Sequence, residues 1–542
     1  MSSSDAATPI SDPVGQDTPG AAEIGFSVPE HYNASAVLFD NLDKGRGERT
    51  ALIAGDVRLS YGGLCALACQ AGNALVQVGL ARSNRVVMLL DDTLVYPAAF
   101  FGAVRAGFVP VLVNTLSPAE LVRYYIEDSA ANVVIAEANL LPVLAEALDG
   151  GPAVKLVVVA NGPPADGFPT ATVTWDDFIA AQPPVLAPAD THRDEMAFWM
   201  YSSGSTGRPK GIVHLQHDMP YTHLSYAQHV LNLTEEDIVY SVPKIFFAYG
   251  FGNALTFPFS IGASVVLSPG RPEPGPIYDV IERVRPTVFF GLPTLYNALV
   301  AHAGSADRDL SSVRLCLSAA EPLPKETFNE WSRRYGLEIL EGLGSTEVLH
   351  IYVSNYADDL CKGASGKRVP GYEIELRDMD DNLVAPGEAG TMWVRGDSQA
   401  PFYWNQPEKT AETMRDDWIY TGDRFTQDAD VFYHFDGRAD DLIKVSGQWI
   451  YPLEIERCLN DHPDVQESCV LGVTQTDGLM TTKAWIVLKT GGAGSDETTA
   501  ILRDYVKSKL LPYKYPRVVA YREDLPKTGT GKIDRQKLQS EG

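Results

Sequence analysis

The sequence predicts an α/β fold: a large N-terminal domain of mostly parallel α/β subdomains plus a small β-barrel-like part, followed by a small mobile α+β C-terminal domain. Three observations carry this. At 542 residues the chain exceeds what one hydrophobic core serves, so two or more domains are required. From about residue 50, short apolar runs alternate with amphipathic segments, which builds parallel sheets covered by helices. After about residue 366 the pattern turns to strict apolar–polar alternation broken by turn residues, the pattern of antiparallel hairpins.

Each element follows from its local pattern. The N-terminus, MSSSDAATPISDPVGQDTPG, has neither a basic start nor an apolar core, which excludes a secretory signal and predicts a disordered tail over residues 1–25. RVVMLL (85–90) reads as a strand, and YPAAFFGAVRAG (96–107) as a helix ending near Gly107. VPVLVN is the next strand. SPAELVRYYIEDS then reads as a helix capped by Ser117, with Glu120 three residues on in capping-box spacing. NVVIAE and KLVVVA add strands, and the alternation recurs at TVFFGLP-TLYNALVAH and VRLCLSAAEPLPKETFNEWSRRYG. Sheets of this kind bind ligands beyond the carboxyl ends of their strands. GYEIELRDMDDNLVAPGEAGTMWVRG predicts hairpins turning at DMDDN and PGEAG. Past GRADDLIKVSGQWI come the helix LEIERCLNDHP, the strands ESCVLGV and KAWIVLK, another helix and a last strand, VVAY. The boundary falls near 437–441, giving an N-terminal domain over 26–437 and a C-terminal domain over 438–542.

The formal charge of −26, from 44 basic against 70 acidic residues, argues against nucleic acid or an anionic membrane as partner. No uncharged apolar run reaches bilayer length. The six cysteines include no CxxC, and Cys65 and Cys69 sit four apart on one helical face, as buried residues do. A reducing, cytoplasmic setting follows as the expectation.

The chemistry is concentrated in loops. YSSGSTGRPKG (201–211) follows the apolar stretch MAFWM and has what a phosphate-wrapping loop needs: glycines for close approach, hydroxyls as donors, and a lysine. It is not a P-loop, because Gly204 and Gly207 stand too close and Lys210 is followed by Gly211 instead of a magnesium-binding hydroxyl. EGLGSTE (341–347) follows the strand LEIL and supplies Gly344, Ser345 and Thr346 as donors, with Glu347 as a hard oxygen ligand. WIYTGD (418–423) offers Asp423 to a pair of ribose hydroxyls, and PKTGTGK (526–532) leaves Lys532 on a glycine-flanked tip. Each alone reads equally well as a turn.

In this order, YSSGSTGRPKG, EGLGSTE, YTGD, GRADDLIKVSG and PKTGTGK resemble the signature series of the adenylate-forming superfamily of acyl-CoA synthetases, adenylation domains and luciferases, over roughly residues 30–540. KIFFAYGFGNALTFPFSIGASVVL, STEVLHIYVSN and VPGYEIELRD resemble its benzoate–CoA ligase branch, which includes hydroxybenzoate ligases. The resemblance implies two half-reactions. A carboxylate attacks the α-phosphorus of ATP, releasing pyrophosphate, and the coenzyme A thiol then attacks the acyl-adenylate, releasing AMP. It implies that Ser202, Ser203, Gly204, Ser205, Thr206, Gly207 and Lys210 hold the phosphates, that Thr346 contacts the α-phosphate, and that Glu347 ligates Mg²⁺. Lys532 would offset charge between carboxylate and phosphate. Adenine would lie between Ala319–Pro322, with Ala320, Glu321 and Pro322, and Glu341–Gly344, with Gly342 and Leu343. Asp423 and Arg438 would grip ribose. Asp440 matches a hinge between half-reactions, and Phe247, Lys444, Ser446 and Gly447 a tunnel for coenzyme A.

The acyl wall implied by this resemblance is Phe247, Ala248, Tyr249, Gly291, Ala319, Gly344, His350 and Ile351. Small residues beside aromatics suggest a flat, shallow slot suited to benzoate or a substituted benzoate. The absence of Asp or Glu in 244–254 counts against an amino-acid substrate. His350 reads as either a ligand or a histidine bonded to backbone. His214, His217, His223 and His229 put four of the ten histidines into a short stretch, which reads as helix surface ahead of a metal site. Alternatives are an adenylating enzyme that loads a carrier protein or another small cyclic or aliphatic acid, a silent nucleotide sensor, and a P-loop kinase or ATPase. No carrier domain follows, intact Lys532, Glu347 and Asp423 speak against a silent protein, and Lys210–Gly211 speaks against the P-loop. A homodimer is common among such enzymes.

Overall fold

In the computed structural model the described residues are 19–202, 208–439, 441, 443–445, 448–474, 480–492, 494–511, 514–527 and 533–541, with Lys444, Gln448 and Trp449 described by backbone alone. The chain divides into two compact units, residues 1–374 with 394–419, and residues 375–393 with 420–542. The boundary expected at 437–441 lies inside the second unit.

The first unit contains two large sheets. One has seven strands in the order Thr172–Thr174, Leu156–Ala160, Val133–Glu137, Arg85–Leu89, Val109–Leu112, Met196–Ser202 and Lys210–Leu215, parallel except for the last pair. Its strands Val109–Leu112 and Val133–Glu137 are valine-rich runs buried on both faces, as a helix-covered parallel sheet requires. Val87, Val111, Val134, Val157 and Trp199 pack there against Val122, Ile126 and Leu144 of the helices Ala119–Ser129 and Leu141–Leu148.

The other sheet has nine strands. Its centre runs Ile339–Gly344, Leu315–Ser318, Val288–Gly291, Ile238–Ser241 and Ser264–Leu267, all parallel, with Tyr240, Phe289, Tyr296 and Trp331 in one core. The register pairs Gly291 with Ser318 and Ser318 with Glu341, so the loops that leave these strands emerge side by side at the carboxyl edge.

In the second unit, Asp423 pairs across an antiparallel ladder with Arg438. Beyond it, Val465–Thr474, Met480–Leu488 and Val518–Arg522 form a three-stranded sheet, packed by Ile455, Leu459, Leu502 and Val506 of the helices Pro452–Asn460 and Asp496–Lys509. This is the expected α+β arrangement.

Three local expectations are corrected. Ser117 does not cap its helix: Pro118 occupies that position at φ −67°, ψ 163°, the helix runs Ala119–Ser129, and no side chain caps it. Residues 19–25, assigned to the tail by composition, instead begin with a helical turn, Pro19–Glu23, whose Glu23 pairs with Arg368 at 2.8 Å and accepts from Gly371 N at 2.9 Å. The histidine cluster is largely interior: His214, His217 and His223 are buried, and only His229 is exposed. His214 lies on a strand and His217 at the foot of a short helix, so helical surface spacing never applied to them. Both cysteines of the helix Tyr61–Gln77 are buried as expected, and every cysteine is free. Among the described residues no helix is long and apolar enough to cross a membrane.

Candidate active site

The hairpin Met196–Ser202 and Lys210–Leu215 pairs Ser202 with Lys210, and so presents Lys210 at the base of the glycine-rich loop. Ser203–Gly207 lie outside the described residues. Lys210 Nζ donates to the Tyr403 hydroxyl at 3.1 Å and lies 4.2 Å from the centre of its ring. That hydroxyl donates to Glu347 Oε1 at 2.8 Å, and Lys210 Nζ stands 3.7 Å from the same oxygen. Two residues expected to act together, Lys210 and Glu347, are thus brought together by a third that the sequence reading missed. Burial, and the Glu347 charge beside it, hold the Tyr403 phenol well above its ordinary pKa.

Thr346 and Glu347 occupy a single helical turn, Thr346–Val348, fastened from two sides. His214 Nε2 donates to the Thr346 carbonyl at 2.9 Å, while its Nδ1 faces Asp218 Oδ2 at 2.7 Å. Ala400 N donates to the Glu347 carbonyl at 2.7 Å, and Ser398 Oγ to that of Val348 at 2.9 Å. His217 faces the carbonyls of Arg193 and Asp397 at 2.9 and 2.8 Å. Burial would lower its pKa, but the hydrogen bond to Asp194, the Asp218 charge and the Arg193 carbonyl outweigh it and raise the value to about 9. With their ring nitrogens engaged by oxygens, neither histidine is a metal ligand here; they are struts.

The expected adenine walls meet along the edge. Ala320 takes φ +76° where the chain leaves the strand Leu315–Ser318. Leu323 N donates to Glu341 Oε1 at 3.2 Å, which ties the loop of Glu321 and Pro322 to the strand carrying Gly342, Leu343 and Gly344.

Beside them the expected acyl residues gather. Phe247, Ala248 and Tyr249 begin a short helix after the strand Ile238–Ser241, with Phe247 exposed and the other two half-buried. Ile351 pairs with Gly344, and a Cβ on Gly344 would stand 2.5 Å from the His350 carbonyl, so only glycine fits. Ala319 and Ile351 are buried. A Cβ on Gly291 would lie 2.7 Å from the Tyr296 ring, so packing beneath the sheet already requires that glycine. His350 is buried among Tyr226, Tyr249 and Phe257, donates from Nε2 to the Tyr249 carbonyl at 3.2 Å, and is pushed down by burial to about pKa 3. It is therefore a neutral ring bonded to backbone. Gly252 exists to admit it, since a Cβ there would lie 2.3 Å from His350 Cδ2.

The loop is pinned by groups that carried no motif. Lys244 Nζ bonds Asp91 Oδ1 and the Ser268 carbonyl, each at 2.8 Å, and Asp92 Oδ1 accepts from Ile245 N at 3.1 Å. Asp92 is buried and pushed up to about pKa 7, first by burial, against the pull of Lys244 and Ile245 N.

In the second unit Arg438 Nη1 donates to Asp423 Oδ1 at 2.9 Å, bringing the two expected ribose residues together. Lys444 lies on the strand Ile443–Val445, its backbone paired with Trp449. Asp440, Ser446, Gly447 and Lys532 fall outside the described residues.

The chain matches known proteins along most of its length. The family profile of AMP-binding enzymes matches residues 39–404, and that of the AMP-binding enzyme C-terminal domain matches 454–532. The benzoate–CoA ligase of Thauera aromatica is 40% identical over 518 residues, 95% of this chain and 97% of its own. The 4-hydroxybenzoate–CoA/benzoate–CoA ligase of Rhodopseudomonas palustris is 40% identical across 94% of each chain. The crystal structure of the anthranilate CoA ligase AuaEII in complex with anthranoyl-AMP superposes with a TM-score of 0.87 at 37% identity, covering 95% of this chain and 98% of that one.

Proposed function

The chain belongs to the AMP-binding enzymes, and from that premise we propose that it ligates an aromatic carboxylic acid, benzoate or a substituted benzoate, to coenzyme A through an acyl-adenylate, with release of AMP and pyrophosphate. The observation that supports the substrate class is the neutral, buried His350, held by the Tyr249 carbonyl and the Tyr226, Tyr249 and Phe257 rings beside the expected acyl residues. A neutral imidazole among aromatic rings, with no Asp or Glu in 244–254, offers no charge with which to pair a substrate ammonium and suits an uncharged ring.

In this reading the acid's carboxylate oxygen attacks the α-phosphorus and the bond to the bridging oxygen of pyrophosphate breaks. Lys210 and the glycine-rich loop hold the leaving phosphates. Thr346 donates to the α-phosphate, from a backbone that His214 keeps in place. Lys532, which falls outside the described residues, would offset the charge that develops between carboxylate and phosphate. Glu347 suits Mg²⁺: Oε1 is engaged by Tyr403, and Oε2 has no partner among the described residues, which leaves a hard oxygen for a hard cation. The ion would neutralise phosphate charge. Asp423, oriented by Arg438, accepts from ribose. The second half-reaction needs the C-terminal residues to turn about Asp440, so that Lys444, Ser446 and Gly447 line the path of the thiol. A cytoplasmic homodimer that uses neither nucleic acid nor membrane completes the proposal.

The test is pyrophosphate release over a panel of aromatic and short aliphatic acids, with and without coenzyme A. Release that depends on benzoates, with thioester formed only when coenzyme A is added, supports the reading. A preference for aliphatic acids, or product formed only on a carrier protein, refutes it.

A further inference from the structure

We propose that Tyr403 is a positioning residue that holds Glu347 open to a divalent cation by keeping the Lys210 ammonium off its carboxylate. The inference rests on the reading of Glu347 as the metal ligand and adds to it a residue that no motif marks.

The geometry is a relay with the phenol at its centre. A hydroxyl has one proton to give and two lone pairs to receive with. Here it receives from Lys210 Nζ at 3.1 Å and gives to Glu347 Oε1 at 2.8 Å. The ammonium and carboxylate are left 3.7 Å apart, closer than solvent would keep them but longer than a direct hydrogen-bonded pair. Both side chains are mostly buried, at 20% and 17% exposure, so a direct pair would be strong and little screened. Such a pair would compete with the cation for the carboxylate. The hydroxyl intercepts the ammonium and fixes Oε1, so that Oε2 remains for the ion.

Tyr403 is itself held where this role requires. Its ring packs on Ile212 and Ala400 at 2% exposure, and its N–H is taken by Thr410 Oγ1 at 3.0 Å. Ala400, three residues earlier, donates to the Glu347 carbonyl, so one short segment fixes both the backbone and the carboxylate of Glu347. The ring face also accepts the lysine by a cation–π contact that a phenylalanine would keep.

The experiment measures Mn²⁺·ATP binding to the full chain by electron paramagnetic resonance of free Mn²⁺, and metal-free ATP binding by calorimetry in chelator, for wild type, Tyr403→Phe, Glu347→Gln and the double variant. Tyr403→Phe preserves ring and packing, so its thermal midpoint should match wild type. The expected result is a loss of Mn²⁺·ATP affinity of about tenfold for Tyr403→Phe, the size of one hydrogen bond to a charged group, with metal-free ATP affinity unchanged. Adding Tyr403→Phe to Glu347→Gln should cost nothing more, because the tyrosine acts through the glutamate. Wild-type Mn²⁺·ATP binding by Tyr403→Phe, beside weakened binding by Glu347→Gln, overturns the proposal. Additive losses overturn it too. Undiminished binding by Glu347→Gln overturns the metal reading beneath it.

Discussion

Replacing Asp92 by Asn should make the protein's stability less dependent on pH between about 4 and 7, and should stabilise it at the alkaline end. Asp92 is 2% exposed, and its folded pKa is about 7 against an ordinary 3.8. The folded chain therefore holds a proton there that the unfolded chain has already lost, and stability falls as pH rises through that window. At pH 8 the ionised carboxylate is a burden of roughly 4 kcal/mol at most, from 1.36 kcal/mol per pH unit. Asparagine has no such proton, and its Oδ1 still accepts from Ile245 N, while Lys244 keeps Asp91 and the Ser268 carbonyl. The assay is thermal or denaturant unfolding of wild type and Asp92→Asn at several pH values from about 5 to about 8. The variant's advantage should widen as pH rises, with the KM for the acid within about threefold of wild type because the loop stays pinned. Asp92→Leu, which removes the acceptor, should raise that KM. A stability difference that is flat with pH, or that favours wild type more at alkaline pH, would refute the reasoning and mean that Lys244 keeps Asp92 ionised throughout.

Lys532→Ala should lower acyl-adenylate formation by roughly 10²–10³-fold or more while leaving thioester formation from synthetic benzoyl-AMP and coenzyme A largely intact. Equal collapse of both half-reactions sinks that division of labour. Asp440→Pro fixes φ near −65° at the expected hinge, so adenylation should persist and thioester formation fall sharply; unchanged thioester formation would put the hinge elsewhere. Ala248→Leu should cost substituted benzoates more kcat/KM than benzoate, with overpacking worth about 1–3 kcal/mol and ATP affinity unmoved. A lowered melting temperature with an unchanged substrate ratio removes Ala248 from the pocket.

The fold was legible because its signals are local. A buried parallel strand such as Val133–Glu137 must be a continuous apolar run, and a helix such as Tyr61–Gln77 must repeat its small and apolar residues at helical spacing. The candidate ligand loops stood out for the same reason, since glycines and hydroxyls must be adjacent to wrap a phosphate. Partnerships across long stretches of chain were not. Tyr403 acts on a glutamate 56 positions away, and its only sequence signal was an aromatic run, Phe402–Trp404, that a core would also produce. Lys244 and Asp91 are 153 apart. The histidines show the limit most plainly. Four close together look like a polar surface, yet His214 and His217 are interior because carbonyls and carboxylates brought by other elements satisfy them. Gly291 is ambiguous in the opposite sense: its smallness invites a pocket reading, and the Tyr296 ring against it supplies a packing cause as well.

These distant partners share one task, which explains why the loop motifs alone could not specify a working site. The turn Thr346–Val348 has too few residues to hold itself, and a loop free to shift by an ångström would forfeit much of what its side chains supply. Beyond its one internal bond, from Leu349 N to the Thr346 carbonyl, each of its three carbonyls takes a donor from elsewhere: Thr346 from His214, Glu347 from Ala400 N and Val348 from Ser398 Oγ. His214 comes from the strand that leaves the glycine-rich loop, so the expected phosphate-binding segment and the expected metal-binding segment are braced on the same imidazole. The other two donors come from the segment that also carries Tyr403 and whose Asp397 carbonyl is held by His217. Cutting any one strut should therefore disturb nucleotide and metal together, whereas changes in the Phe247–Tyr249 loop, anchored separately through Lys244 and Asp92, should be felt in the acid alone.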